Sequence, residues 1–388
     1  MKKKIQPIIA GVCLGGMLLT GCGKEERQKH PDTGAKESSD VVTTEQDEDV
    51  KPVDAPVSDI VSLNLPQLEG REIISVCAVG DGENLYVSTC FEDSELAMPV
   101  YEVLRFDYEE STDTYKDPVV MEWRNQAVSC VYFTVSPDGS KAYLSMLAED
   151  LDADSSDDYF FLRFASADIQ GNQLENLTFL LRGSEEGNLI ISGVDQEENL
   201  YYVTEDMETG SLIAKVSNAN HSDGGVELFS SDRIQTALDS EQTEEEEKIE
   251  EDEEEETGME QESSTEADVS VKTEDLKENS VLWEDIINIR SIVKAEDGTY
   301  YFTAPGPGNG VYMIYSTKEQ EDGLFACPSL LPKRINDGVE DKLYCTVSTS
   351  GKYLYYVSSK STINEDGEFC SRTMLYRVER EKLEEPSL

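Results

Sequence analysis

Ser136-Pro137-Asp138-Gly139-Ser140-Lys141-Ala142-Tyr143-Leu144-Ser145 reads as a tight turn running into a strand. Proline presets the backbone angle at the second turn position, Asp-Gly permits the left-handed conformation that closes the turn, and an alternating, tyrosine-containing run follows. Four other stretches have the same form: Gly80-Asp81-Gly82-Glu83-Asn84-Leu85-Tyr86-Val87-Ser88, Asp195-Gln196-Glu197-Glu198-Asn199-Leu200-Tyr201-Tyr202-Val203, Glu296-Asp297-Gly298-Thr299-Tyr300-Tyr301-Phe302-Thr303, and Thr349-Ser350-Gly351-Lys352-Tyr353-Leu354-Tyr355-Tyr356-Val357-Ser358. With Tyr86, Tyr143, Tyr201, Tyr301 and Tyr355 as equivalents, the steps are 57, 58, 100 and 54 residues. A fixed period of this size marks a repeat architecture.

Each unit has an apolar run before its turn: Ile73 to Val79, Val128 to Val135, Leu189 to Val194, Ile286 to Val293 and Leu343 to Val347. A third strand-like run follows the tyrosines at Tyr101 to Phe106, Tyr159 to Phe164, Leu212 to Val216, Val311 to Tyr315 and Met374 to Val378. A weaker fourth run occurs in most units, for example Val119 to Trp123 and Leu177 to Leu181. Short β-branched and aromatic runs separated by Gly-containing turns signal antiparallel hairpins, and four such strands make one propeller blade. The expected fold is an all-β propeller over 59–383, with about five four-stranded blades. An N-terminal strand within Asp59 to Leu68 closes it against the blade ending near Arg380, because an open edge would invite pairing with other chains. A sixth, degenerate blade around Ser280 to Ile289 is the rival count, and a two-sheet sandwich or a pair of smaller β domains is the rival architecture.

The Ser136-Pro137-Asp138-Gly139 unit resembles the Ser-Pro-Asp-Gly repeats of TolB-type and related bacterial propellers. Only this copy has the whole tetrapeptide, so the resemblance implies the repeat architecture over about 310 residues without a subfamily.

The single long step contains an acidic block. From Asp239 to Asp275 there are 19 acidic residues against two lysines, including Glu244 to Glu247 and Glu250 to Glu256 with Asp252 among them. Like charges at this density stay solvated and apart, so 239–275 is expected to be a disordered insertion within the propeller. It lacks the spaced aspartates and glycine of a calcium loop, and metal binding is not expected there. The whole chain has 82 acidic against 32 basic side chains, a net charge of -50, and this excludes binding to bare nucleic acid.

Lys2, Lys3 and Lys4 precede an apolar run from Ile5 to Leu19 that is too short to span a bilayer and reads as a signal peptide, residues 1–21. Leu19-Thr20-Gly21-Cys22 resembles the lipobox of bacterial lipoproteins. The resemblance implies diacylglyceryl (palmitate-type) modification of Cys22 and cleavage before it. The alternative is an ordinary or uncleaved signal with an incidental cysteine. Two acyl chains at about 0.8 kcal/mol per buried methylene would make attachment stable, where one chain gives only marginal binding. Residues 22–58, rich in Lys, Glu, Asp, Ser, Thr and Pro, cannot offset their ordering entropy and read as a lipidated, disordered tether with a reach of about 30 Å. The expected location is the outer side of the bacterial cytoplasmic membrane or a periplasm.

Signs of chemistry are sparse. The apolar first-strand runs contain no His, Asp or Glu, whereas glycosidases need two closely placed carboxylates and metal sites need oxygen or nitrogen ligands. His30 lies in the tether and His221 in a Gly- and Ser-rich stretch, neither with an evident nucleophile partner. The acids of Glu149 to Asp158 read as a solvated crossing. Arg105, Arg163, Lys215 and Arg377 recur in the third strands, with Tyr315 in the fourth unit; they read either as a ring of cations for an anionic ligand or as outward residues bridging blade faces. After Cys22 come Cys77, Cys90, Cys130, Cys327, Cys345 and Cys370, without a Cys-x-x-Cys motif. Cys77, Cys130 and Cys345 sit inside apolar first strands and read as small hydrophobes, although six cysteines in an oxidising compartment permit fifteen disulfide pairings.

No catalytic, cofactor-binding or metal-binding residue is therefore assigned; Cys22 is the one site residue, for lipidation. The expected function is a membrane-anchored, extracytoplasmic module that binds or scaffolds a protein, peptide or envelope component. The alternative is a propeller hydrolase or lyase acting on a glycan or lactone with loop carboxylates, and a sensory subunit for a membrane kinase is a third reading.

Overall fold

The computed structural model describes residues 60–63, 65–93, 98–112, 114–149, 160–180, 189–206, 209–219, 224–234, 280–308, 310–363 and 369–383. The signal segment 1–21, Cys22, the tether 22–58, the insertion 239–275, His30, His221 and residues 150–158 lie outside the described residues.

Five sheets, antiparallel but for one short parallel pair in the second, form the described part, all within the compact unit that begins at Asp59. Its first strand, β1 (Ile60–Ser62), belongs to the last blade. Blade one is β2 (Glu72–Val79), β3 (Asn84–Asp93) and β4 (Met98–Glu109), with β5 (Thr114–Tyr115) and β6 (Val119–Val120) both on the outer edge of β4. In blade two, β7 (Glu122–Trp123) and β8 (Gln126–Ala127) precede β9 (Tyr132–Val135), β10 (Lys141–Glu149), β11 (Phe160–Gln170) and β12 (Gln173–Phe179). Blade three is β13 (Leu189–Val194), β14 (Asn199–Glu205), β15 (Leu212–Asn218) and β16 (Val226–Glu227). Blade four is β17 (Ser291–Lys294), β18 (Thr299–Pro305), β19 (Tyr312–Lys318) and β20 (Ser329–Leu330). Blade five, β21 (Asp341–Val347), β22 (Tyr353–Ile363) and β23 (Phe369–Glu379), is completed by β1, whose Ile60, Val61 and Ser62 pair with Val378, Arg377 and Tyr376. The expected closure by an N-terminal strand is therefore present, and the blades number five.

The ring is visible in the core as well as in the strand order. Five clusters of buried side chains fill the five spaces between neighbouring blades, including the space between blades five and one, where Val76 and Leu85 meet Tyr344 and Tyr355. Side chains alternate along each strand, so Cys77 packs toward blade two while Val76 and Ala78 pack toward blade five.

Some element boundaries differ from those read in the sequence. Of Val128 to Val135 only Tyr132–Val135 is strand, because Val128 donates its N–H back to Met121 and spends the preceding residues crossing between blades. Of Ile286 to Val293 only Ser291–Val293 is strand. Trp283–Asp285 forms a single 3-10 turn, its Trp283 indole donating to the carbonyls of Phe325 and Ala326, so the chain enters blade four late. The run Val119 to Trp123 is divided: β6 finishes blade one, while β7 pairs in parallel with β12 of blade two. Ser280 forms a bridge to Ser329 and so belongs to blade four, leaving no sixth blade among the described residues. Ile234, on the other flank of the acidic insertion, bridges Phe325. Phe325 and Ser329, the partners of these two flanks, are four positions apart, about 13 Å at strand rise.

The inner strands have one edge facing the axis, and hydroxyl side chains from neighbouring blades bond to it. Ser88 Oγ donates to the Val131 carbonyl at 2.8 Å, Ser75 Oγ accepts from Phe133 N–H at 3.3 Å, and Ser291 Oγ accepts from Cys345 N–H at 3.0 Å. Ser145 Oγ donates to the Leu189 carbonyl. Tyr344, 1% exposed, crosses from blade five to blade three and donates its phenol to the Ile191 and Ser192 carbonyls at 3.2 and 3.0 Å. The Tyr344→Phe variant keeps the ring in place and removes the only link in this set between non-adjacent blades. It should lose about 1–2 kcal/mol of unfolding free energy, measured by urea denaturation, with an unchanged m-value.

Candidate functional site: a cup at the hairpin mouth

The turns joining first and second strands gather at one end of the ring. Their local chemistry is the same in several blades: a side-chain oxygen at the start of the turn or within it accepts the N–H groups of the residues that follow. Ser136 Oγ accepts from Lys141 N–H at 3.0 Å and donates to Asp138 Oδ1 at 2.6 Å; Ser348 Oγ accepts from Tyr353 N–H at 3.0 Å. Gly139 stands at φ 72°, the left-handed angle that Asp-Gly turns require.

In blade three the first turn position is Asp195 instead of serine. Its carboxylate accepts from Glu197 N–H at 3.1 Å, Asn199 N–H at 2.8 Å, Asn199 Nδ2 at 3.0 Å and the Tyr201 hydroxyl at 2.8 Å. Burial, with Tyr300 and Asp195 alongside, holds the Tyr201 phenol well above its ordinary value. Lys294 Nζ lies 4.0 Å from Asp195 and 6.0 Å from the centre of the Tyr300 ring.

Between these turns is a cavity of about 250 Å3 whose wall takes residues from all five inner strands, among them Cys77, Thr134, Gly193, Val293 and Thr346. Asp195, Glu197, Lys294 and Glu296 supply its charges. Blades five and one are stitched together on one side, where Gly80 N–H donates to Thr349 Oγ1 at 2.7 Å and Thr349 N–H to the Ala78 carbonyl at 3.0 Å. Gln196 Nε2 spans the opposite turns, donating to Glu296 Oε1 at 3.3 Å and to the Thr349 carbonyl at 3.5 Å. Burial pushes the Cys77 thiol above its usual value despite the Thr134 hydroxyl beside it, which favours the uncharged thiol in the wall. Below the cup, Tyr344 and Tyr132 occupy the axis; Tyr132 touches the clusters between blades two and three, three and four, and five and one.

The opposite mouth carries charges that are already engaged. Arg71 meets Glu102 at 2.8 Å and lies over the Phe91 ring, Arg290 lies over the Tyr312 ring, and Asp341 accepts the Tyr312 N–H at 2.9 Å. Glu72 and Asp341 open β2 and β21, so two inner strands do begin with acids that the apolar runs did not include. Lys342, 2% exposed, is held by Asp337 at 3.4 Å and Glu340 at 3.7 Å.

The recurrent third-strand cations sit away from the cup and serve blade faces. Arg105 forks onto Asp107 and donates to the Gly171 carbonyl of blade two; Arg163 lies over Phe179 and Arg377 over Tyr353. Tyr315 is buried against Phe302 and donates to the Pro305 carbonyl. Lys215 pairs in register with Tyr202 and Glu227. Cys77, Cys130 and Cys345 are buried free thiols. Burial pushes Cys345 up to about 12 and Cys130 higher still. Among the described residues no group of three or more His, Cys, Asp or Glu is placed to hold a metal ion.

Sequence reading passed over the cup residues because each directly follows an apolar run and looks like ordinary turn composition. Aligning the five turns exposes the signal: Val79, Ser136, Asp195, Ala295 and Ser348 occupy one position, and only blade three has a carboxylate there.

Two turn aspartates make the rim sensitive to acid. The Ser136 hydroxyl and then Ser140 hold Asp138 below its ordinary 3.8. For Asp297, burial alone would raise the value, but Thr299 and the Arg380 guanidinium at 2.8 Å outweigh it and lower it. A depressed carboxyl contributes stability above its unfolded value and loses it as pH falls through the folded one. The stability difference between the native chain and Asp297→Asn should therefore be largest near neutrality and close below about pH 4, followed as the thermal midpoint across a pH series.

The sequence matches no protein-family model and no curated protein. Solved structures similar in chain trace include TolB from Agrobacterium tumefaciens, 10% identical over 82% of this chain and 96% of that one with a TM-score of 0.40. Others are the periplasmic gluconolactonase of Pseudomonas aeruginosa, 9% identical over 77% and 70% with a TM-score of 0.32, and an α-L-arabinofuranosidase of Podospora anserina, 9% identical over 82% and 94% with a TM-score of 0.39. The five-bladed propeller stands on this chain's own strand order and closure, and neither ligand nor reaction follows from these likenesses.

Proposed function

We propose that the chain is an extracytoplasmic lipoprotein whose propeller, residues 59–383, is a binding or scaffolding module for a protein, peptide or envelope component engaged at the hairpin-mouth cup. The observation that carries the binding reading is the cup itself: a concave site to which every blade contributes, with its buried carboxylate occupied in holding its own turn and its thiol buried in the wall. Asp195 already accepts four hydrogen bonds, and a carboxylate so saturated is a poor general base.

The anchoring part of the proposal rests on the sequence. Residues 1–21 are read as the signal peptide, Cys22 as the acylated first residue of the mature chain, 22–58 as the tether and 239–275 as a solvated spacer within the propeller. No helix of the described residues is long and apolar enough to cross a membrane. The full chain should partition into the detergent phase and incorporate labelled palmitate, while Cys22→Ala should do neither. An alanine variant that still incorporates the label would overturn the anchor.

Glu197 and Glu296 line the same cup, and this favours the second reading, a hydrolase or lyase using loop carboxylates on a glycan or lactone. A photo-crosslinking residue in place of Gln196 or Ser350, both on exposed turns of this mouth, distinguishes the two in intact cells. Binding predicts discrete adducts from these positions and none from Ile287 or Val339, which are exposed elsewhere. Adducts from all four alike, or from none, count against the cup as a docking site. Turnover of a glycan or lactone panel that disappears in Glu296→Gln would favour the enzyme.

A further inference from the structure

The balance of charge around the cup selects the kind of group that enters it. Four cations at this mouth already have carboxylate partners: Lys294 has Asp195, Lys352 has Asp81 at 3.7 Å, and Lys318 and Arg380 have Asp297 at 3.8 and 2.8 Å. Glu197 and Glu296, from the turns of blades three and four, line the cavity with no cation in ion-pair contact among the described residues. The residues lining the cavity thus carry three carboxylates against one lysine. A cavity with low-dielectric walls and one sign of charge at its lip concentrates that potential inside.

Two ligand classes are disfavoured by what is there. An anionic group would face like charges on Glu197 and Glu296 while losing its own hydration. A divalent metal ion needs several oxygen ligands converging at short range, whereas the described residues contain no such group and Asp195 is saturated by its own turn. An elongated organic cation has neither problem, since the carboxylates of the cup offset its charge and the wall also offers Val293, Val135 and Val347 to an apolar stem. The volume of about 250 Å3 suits one long side chain better than a folded ligand.

We infer that the cup receives the ammonium or guanidinium of a partner's lysine or arginine side chain, with Glu197 and Glu296 as its counter-charges. This deepens the binding reading and rests on it. Both glutamates are exposed turn residues, so their replacement leaves the core intact.

The test uses the full lipidated chain in detergent, titrated with N-acetyl-arginine amide, N-acetyl-lysine amide and, as an uncharged control of the arginine shape, N-acetyl-citrulline amide, with binding followed by calorimetry. The cationic probes should bind at least tenfold more tightly than citrulline. Their affinity should fall severalfold on raising the salt from about 50 to about 500 mM, and the double variant Glu197→Gln, Glu296→Gln should lose at least tenfold with an unchanged thermal midpoint. Equal binding of the citrulline probe, or full cation binding by the double variant, overturns the inference. Should the Gln196 and Ser350 adducts form in cells while the cationic probes fail, the docking site stands and only its cation preference falls; if the adducts fail too, the binding reading falls with it.

Discussion

Five sheets stand edge-on to a common axis, and the innermost strand of each has one edge with no partner strand. Buried N–H and C=O groups left without partners are expensive, so the arrangement is stable only if something else bonds to those edges. Here the partners are small hydroxyls sent from the adjacent blade, Ser75, Ser88, Ser145 and Ser291, and one phenol, Tyr344, sent across the axis. The outer edge needs a different solution, and the short strand Ile60–Ser62 on β23 supplies it by tying the two ends of the compact unit into one blade.

That constraint separates the two mouths of the ring. Tyr344 and Tyr132 fill the axis, so a group entering at the hairpin turns does not emerge at the other end. At the far mouth, Arg71, Arg290 and Lys342 are stacked on rings or paired. At the hairpin mouth the turns must satisfy their own N–H groups, and Asp138, Asp195 and Asp297 do so. Local turn chemistry therefore places carboxylates around the cup, and Glu197 and Glu296 from two of these turns line it as well.

Much of the fold was legible because its signals are local. The turn-plus-tyrosine repeat marks five hairpins, and the one irregular step coincides with the acidic block. Boundaries failed where packing overrode pattern. Ile286 to Arg290 is apolar and β-branched enough to read as strand, yet Trp283 is fastened to Phe325 and Ala326 and holds the chain in a turn. Val119 to Trp123 looks like one strand, but its two halves join different blades. The cup was not legible at all, since Glu197 and Glu296 are about a hundred residues apart and resemble any other acidic turn.

By itself the amino-acid sequence determined the class, the repeat, the number of units and the placement of the largest block of charge, because turn geometry, side-chain alternation and like-charge repulsion act over a few residues. Tertiary structure alone decided which blade each short run joins, that a tyrosine seals the axis, and that carboxylates from separate turns share one cavity. Those outcomes depend on ring closure, which brings together residues from all five repeats, and no local pattern records a distance that only closure creates.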